Sequence, residues 1–113
     1  MKPSGTEDFE LLLSEAIDEG LSLLGDSGKK AIYFYLDKQY DIKQHEMGAR
    51  VEDFSVALEK IFGLGAVFLQ TLILKRLYLK MGREYEEKDP AQPNFIANVL
   101  KLRDLEAAMY AGS

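Results

Sequence analysis

A chain of 113 residues with 47% apolar content, three prolines and no cysteine is sized for one folded domain, and it excludes disulfide scaffolds, thiolate metal sites and cysteine nucleophiles. Its net charge of −5 is uneven, because residues 1–26 carry seven carboxylates against Lys2 alone. Such an acidic surface repels a phosphate backbone and disfavours nucleic acid as a partner.

The first ten residues lack an apolar run behind a basic region, so they read as neither a signal nor a transit peptide. The most apolar stretch, Leu64 to Leu74, is interrupted by Gln70 and Thr71 and falls short of the roughly 20 residues a bilayer span needs. The expectation is a cytoplasmic protein with no membrane segment. Residues 1–113 read as one helical domain, with 1–5 a disordered lead-in and 82–94 a connector.

Phe9, Leu12, Leu13, Ala16, Ile17, Leu21 and Leu24 recur at helical spacing and predict a first helix from about Glu7 to Leu24. Glu7 and Asp8 suit the positive end of its dipole, and Gly25 offers a left-handed stop. After the Asp26-Ser27-Gly28 turn, Ser27 could cap a second helix with Ala31, Ile32, Tyr35, Leu36 and Tyr40 on one side. The aromatic run Ile32 to Leu36 could also be a strand, but the polar residues around it make the segment too long for one.

Asp41 followed by Gln44 reads as a capping box opening a short helix, Ile42 to Met47, closed by Gly48. Val51, Phe54, Ala57, Leu58, Ile61 and Phe62 predict the next helix, and Gly63 with Gly65 predicts a sharp corner. The fourth helix runs from Gly65 to about Met81, burying Phe68, Leu69, Leu72, Ile73, Leu77 and Tyr78. Asp89-Pro90 through Pro93-Asn94 is the clearest connector, and a last helix spans about Phe95 to Met109. The fold class expected is all-α, a compact bundle of about five helices around a central apolar helix.

Candidate chemistry is sparse. His45 is the one histidine, but it lies in a polar stretch where a solvated side chain is expected. Asp37, Asp41 and His45 stand four apart and would stack on one unbroken helix as metal ligands. An N-cap at Asp41 breaks that helix, so no metal site is expected. The glycine pair Gly63 and Gly65 has no strand before it and no lysine-serine after it, which makes it a packing feature rather than a phosphate cradle. No catalytic residue and no cofactor are assigned, and the chain is read as not an enzyme.

Two surfaces stand out instead. Arg76, Lys80 and Arg83 form a basic face late in the fourth helix, for which the acidic face of the first helix, with Glu7, Glu15 and Asp18, is a natural partner. Tyr33, Tyr35, Tyr40, Tyr78 and Tyr85 suit the core boundary, each with one wet end. In the last helix Phe95, Leu102 and Met109 repeat every seven residues, with Val99 and Leu105 between them. This seam is read as the interface of a homodimer, with docking on its own chain as the alternative.

The segments Ser27-Gly28-Lys29-Lys30-Ala31-Ile32-Tyr33-Phe34-Tyr35-Leu36 and Phe54-Ser55-Val56-Ala57-Leu58-Glu59-Lys60-Ile61-Phe62-Gly63-Leu64-Gly65-Ala66 resemble the Nitrosopumilus-type output domains, a small archaeal family of unknown function. That resemblance covers roughly the central half of the chain and carries no catalytic residue. It implies an archaeal cytoplasmic protein acting as a signalling output domain through protein contacts. The leading functional expectation is a non-enzymatic interaction or signal-transduction output module. A DNA-associated transcriptional regulator with a helix-turn-helix-like core is the alternative, and a small-molecule sensor with an apolar pocket is a third reading.

Overall fold

The computed structural model describes residues 5–85 and 94–111, with side chains over 8–85 and 94–108. Five α-helices follow in order: α1 Gly5–Leu21, α2 Gly25–Tyr40, α3 Val51–Phe62, α4 Ala66–Lys80 and α5 Phe95–Ala111. Three short 3-10 turns, Ser22–Leu24, Gln44–Glu46 and Gly63–Gly65, lie between them. Helix predominates among the described residues and none of them forms a strand, which settles the segment Ile32 to Leu36 as helix. The radius of gyration, 14.0 Å, is close to the roughly 13 Å expected of a compact chain of this length.

The expected five separate helices are better described as three continuous helical stretches, 5–40, 51–80 and 95–111. Leu21 and Leu24 both keep right-handed helical dihedrals, so the break at the first corner falls on Gly25, at φ 83° and ψ 163°. Gly63 does the same at φ 59° and ψ −130°. Side chains rarely adopt either conformation, whereas glycine reaches both without a steric penalty. Each corner therefore turns the chain at one residue without unwinding the helix beyond it. The same geometry bears on the apolar stretch Val51–Lys80, which by length and composition alone could cross a membrane. The bend at Gly63 leaves its longer arm, α4, only about 22 Å long.

The core lies between α1 and α4, with α3 and α5 closing its sides. Phe9, Leu13, Ala16, Ile17 and Leu21 of α1 meet Leu69, Ile73, Leu74 and Leu77 of α4 in one buried cluster. Gly20 makes the crossing close, since a Cβ there would come within 2.6 Å of Ile73 Cγ1. Gly48 is tighter still, because its Cβ would sit 2.2 Å from the Glu10 carbonyl oxygen; its N–H donates to Ser14 Oγ at 3.1 Å.

Several local expectations change. Asp41 is not an N-cap: it ends α2 in a left-handed conformation at φ 55°, and its N–H and that of Ile42 both reach the Leu36 carbonyl. The capping contact opens two residues later, where the Lys43 N–H donates to Glu46 Oε1 at 3.0 Å, and only a single 3-10 turn follows. In α4 Phe68 is 60% exposed and Leu72 half-buried, while Leu74 is fully buried. The reason is that the residues α4 buries fall on one side at helical spacing, so an apolar residue on the opposite side faces solvent.

The seam of α5 requires the largest correction. Phe95, Val99 and Leu102 are buried in the chain's own core, with Leu105 half-buried against it, so the structure takes the alternative in which the seam docks on its own chain. Helices α1, α3 and α4 leave one side of the core open, and α5 contacts all three. Met109 lies outside the described side chains.

Candidate functional site

An open cleft of about 870 Å³ is lined by Ser14, Glu15, Asp18 and Glu19 of α1, Tyr33 of α2, Gln44 and His45 of the 3-10 turn, and Lys80 of α4. The burial pattern of α1 dictates its floor. Placing Leu13, Ala16 and Ile17 inward puts Glu15, Asp18 and Glu19 on the outward side.

Each of these carboxylates is held. Glu19 bridges two cations of α4, with Arg76 Nε at 2.8 Å and Lys80 Nζ at 2.7 Å, and Lys80 also reaches Glu15 at 3.5 Å. The hydrogen bond from Lys80 holds the Glu19 carboxyl below its ordinary range, with a further contribution from Arg76, and Glu19 in turn raises the Lys80 ammonium. Asp18 accepts the Tyr33 hydroxyl at 2.8 Å on one oxygen and Lys29 Nζ at 3.1 Å on the other. Burial, reinforced by Asp18, pushes the Tyr33 phenol well up, so it remains a donor.

The expected basic face is thereby divided. Arg76 and Lys80 do meet the acidic face of α1, through Glu15 and through Glu19, which sequence reasoning passed over. The signal was there: Glu15 and Glu19 are four apart, as are Arg76 and Lys80, so two helices side by side can match them as a ladder. Arg83 leaves the face because α4 stops at Lys80 and Gly82 turns the chain at φ 69°. It lines a smaller cleft of about 430 Å³ with Tyr78, Lys101, Leu102 and Leu105.

The former metal candidates diverge. Asp37 and Asp41 both approach Lys43, whose hydrogen bond lowers the Asp37 carboxyl, while His45 stands exposed and lines the cleft beside α1. Among the described residues, no three His, Cys, Asp or Glu side chains gather as a metal site.

The tyrosines do not form one platform. Tyr35 and Tyr40 pair edge to face with centroids 6.0 Å apart, Tyr78 and Tyr85 pair at 5.2 Å, and Tyr33 turns to Asp18. Tyr78 also donates to Asn98 Oδ1 at 2.9 Å, tying α4 to α5.

Among the exposed residues are several large apolar side chains. Leu64, Phe68 and Leu79, which helical spacing places on one side of the α4 stretch, are 93%, 60% and 64% exposed, and Phe34 on α2 is 65% exposed. No protein-family model, no curated protein and no solved structure matches this chain.

Proposed function

We propose that this chain is a non-enzymatic interaction or signal-output module, archaeal and cytoplasmic, whose helices gather as a compact bundle around α4 and whose partner is another protein or a second copy of itself. The observation that carries this reading is the exposed apolar face formed by Leu64, Phe68 and Leu79. Large apolar side chains gathered on one exposed side of a helix, here with exposed Lys75 among them, suit a contact with another protein surface. The resemblance of residues 27–36 and 54–66 to the Nitrosopumilus-type output domains supports the same reading.

Nucleic acid is the less favoured partner, because Arg76 and Lys80 already answer Glu19 and Glu15. A small ligand in the cleft beside Tyr33 and His45 is the second reading, supported by the cleft's volume of about 870 Å³. No cofactor and no membrane enters either reading.

The test compares the native protein with a Phe68→Glu, Leu79→Glu variant in capture from a native lysate. Loss of the captured protein with an unchanged melting temperature is the expected result. Retardation of duplex DNA that weakens steeply with salt would replace this reading with the regulator. Stabilisation by a metabolite, about 2.7 kcal/mol at one hundred times its dissociation constant, would replace it with the sensor.

A further inference from the structure

We propose that Gly25 is a hinge through which α1 is exchanged between two copies of this chain, giving a two-fold dimer built on a straightened 5–40 helix. This rests on the self-association branch of the reading above and supplies its mechanism. Between residues 5 and 40 the helical course is interrupted at Gly25, while Leu21 and Leu24 on the near side are already helical. Rotation at that residue converts α1 and α2 into one rod of roughly 54 Å. Glycine is at ease in both conformations.

The contacts that α1 makes in the closed chain are suited to exchange. Asp18 receives Tyr33 and Lys29 of α2, Glu19 receives Arg76 and Lys80 of α4, and Gly20 lies against Ile73. All of these partners lie beyond Gly25 in sequence, so a second copy offers the same set in the same geometry.

The register fits as well. Asp18 lies seven residues before Gly25 and Tyr33 eight after it, so two straight antiparallel helices crossing at the hinge bring the same pair together. Ser22, Gly25 and Gly28 are small residues at that crossing and permit close approach of the two backbones.

The other corner lacks these properties. Across Gly63, Gln70 Nε2 donates to buried Ser55 Oγ at 3.0 Å, and α3 and α4 both place several residues in the core. Pairs cross both corners, but those across Gly25, Asp18 with Tyr33 and Lys29, are only part-buried, whereas opening at Gly63 would separate a buried pair and two helices that both line the core.

The test is Gly25→Ala, which disfavours the corner's positive φ and favours a continuous helix. Light scattering should find the mass moving from 12.8 kDa to twice that value. Spin labels on Leu11→Cys and Lys38→Cys, both exposed positions, read the intrachain distance in samples diluted with unlabelled chains. In the dimer that distance should lengthen to roughly 40 Å, the span of a straight helix between them. A folded variant of unchanged mass at every concentration overturns the proposal, as does a dimer whose intrachain distance matches the monomer's.

Should Gly25→Ala fail to fold, the labelled chain with Gly25 intact is refolded at high concentration. A dimer with the lengthened distance supports the exchange, and a monomer alone refutes it. A monomeric protein that still captures a partner through Phe68 would overturn the exchange and leave the interaction reading standing.

Discussion

α2 and α4 are nearly equal in length, at 16 and 15 residues, and both are rich in large apolar and aromatic side chains. Their fates differ sharply. α4 places Ala66, Leu69, Gln70, Ile73, Leu74, Leu77 and Tyr78 inside, whereas Leu36 is the residue α2 buries fully. The cause is position: α4 has α1, α3 and α5 against it, and α2 rests chiefly on α1 and the turn that joins them. Apolar composition thus measures what a helix could bury, and the number of neighbours decides how much it does.

The most severe way to break this contrast is to empty the α4 core. Ile73→Ala removes a fully buried side chain and is expected to cost about 2 to 5 kcal/mol, since lost transfer energy and an unfilled cavity add. Chemical denaturation of the purified variant checks this. A loss below about 1 kcal/mol would mean that α4 carries no more of the fold than α2 does.

Gly20→Ala sharpens the same point from the other side. A Cβ at Gly20 meets Ile73 Cγ1 at 2.6 Å, so α1 must shift, and overpacking of this kind costs about 1 to 3 kcal/mol. The penalty should shrink when Ile73→Ala is already present, because the clashing atom is gone. A double-mutant cycle with full additivity would place the two residues out of contact.

Much of α1 was legible in the sequence because it carries apolar residues on a defined face, and Phe9, Leu13 and Ile17 lie inside as their spacing requires. Spacing specifies which face is apolar but not what covers it, which is why the α5 seam could be read as a dimer interface. In α4 the pattern loses its phase. Apolar residues occur on nearly every side, so Phe68 and Leu74 are interchangeable by periodicity and only the tertiary neighbours separate them. The cleft was half legible: the acidic and basic faces were visible, but the approach of His45 and Tyr33 to α1 depends on the corner at Gly25 and on Gly48 resting against Glu10.

The electrostatic contact between α1 and α4 should register as a modest pH effect. Glu19 has its folded-state value depressed by Lys80 and Arg76, so its contribution is fully present above the ordinary carboxylate value and is lost as pH falls through the lowered one. Lys80 is raised, so its share persists below its ordinary value and is lost only as pH rises through the raised one. Between these limits the pair is intact. Glu19→Gln should therefore cost about 0.2 to 1 kcal/mol at neutral pH, the range for solvent-accessible ion pairs. The difference from the native protein should close in acid, where both carry a neutral side chain. Urea midpoints measured across the acid range test the sign, and a gap that widens as pH falls would reverse it.

The smallest effect is expected on α2, at Phe34→Ser. Phe34 is 65% exposed, with the Lys38 ammonium 5.8 Å from its ring centroid. Removing the ring deletes little buried area, and an exposed cation–π contact contributes only about 0.5 to 1 kcal/mol. Serine returns some helix propensity disadvantages of the aromatic at nearly equal value, so propensity leaves the balance unchanged. The net change should stay within about 1 kcal/mol, well below that of Ile73→Ala, although the residue lost is larger. Denaturation of the two variants side by side measures the ratio. Comparable losses would mean that Phe34 is covered in solution, and a concentration dependence confined to the Phe34 protein would identify a second copy as the cover.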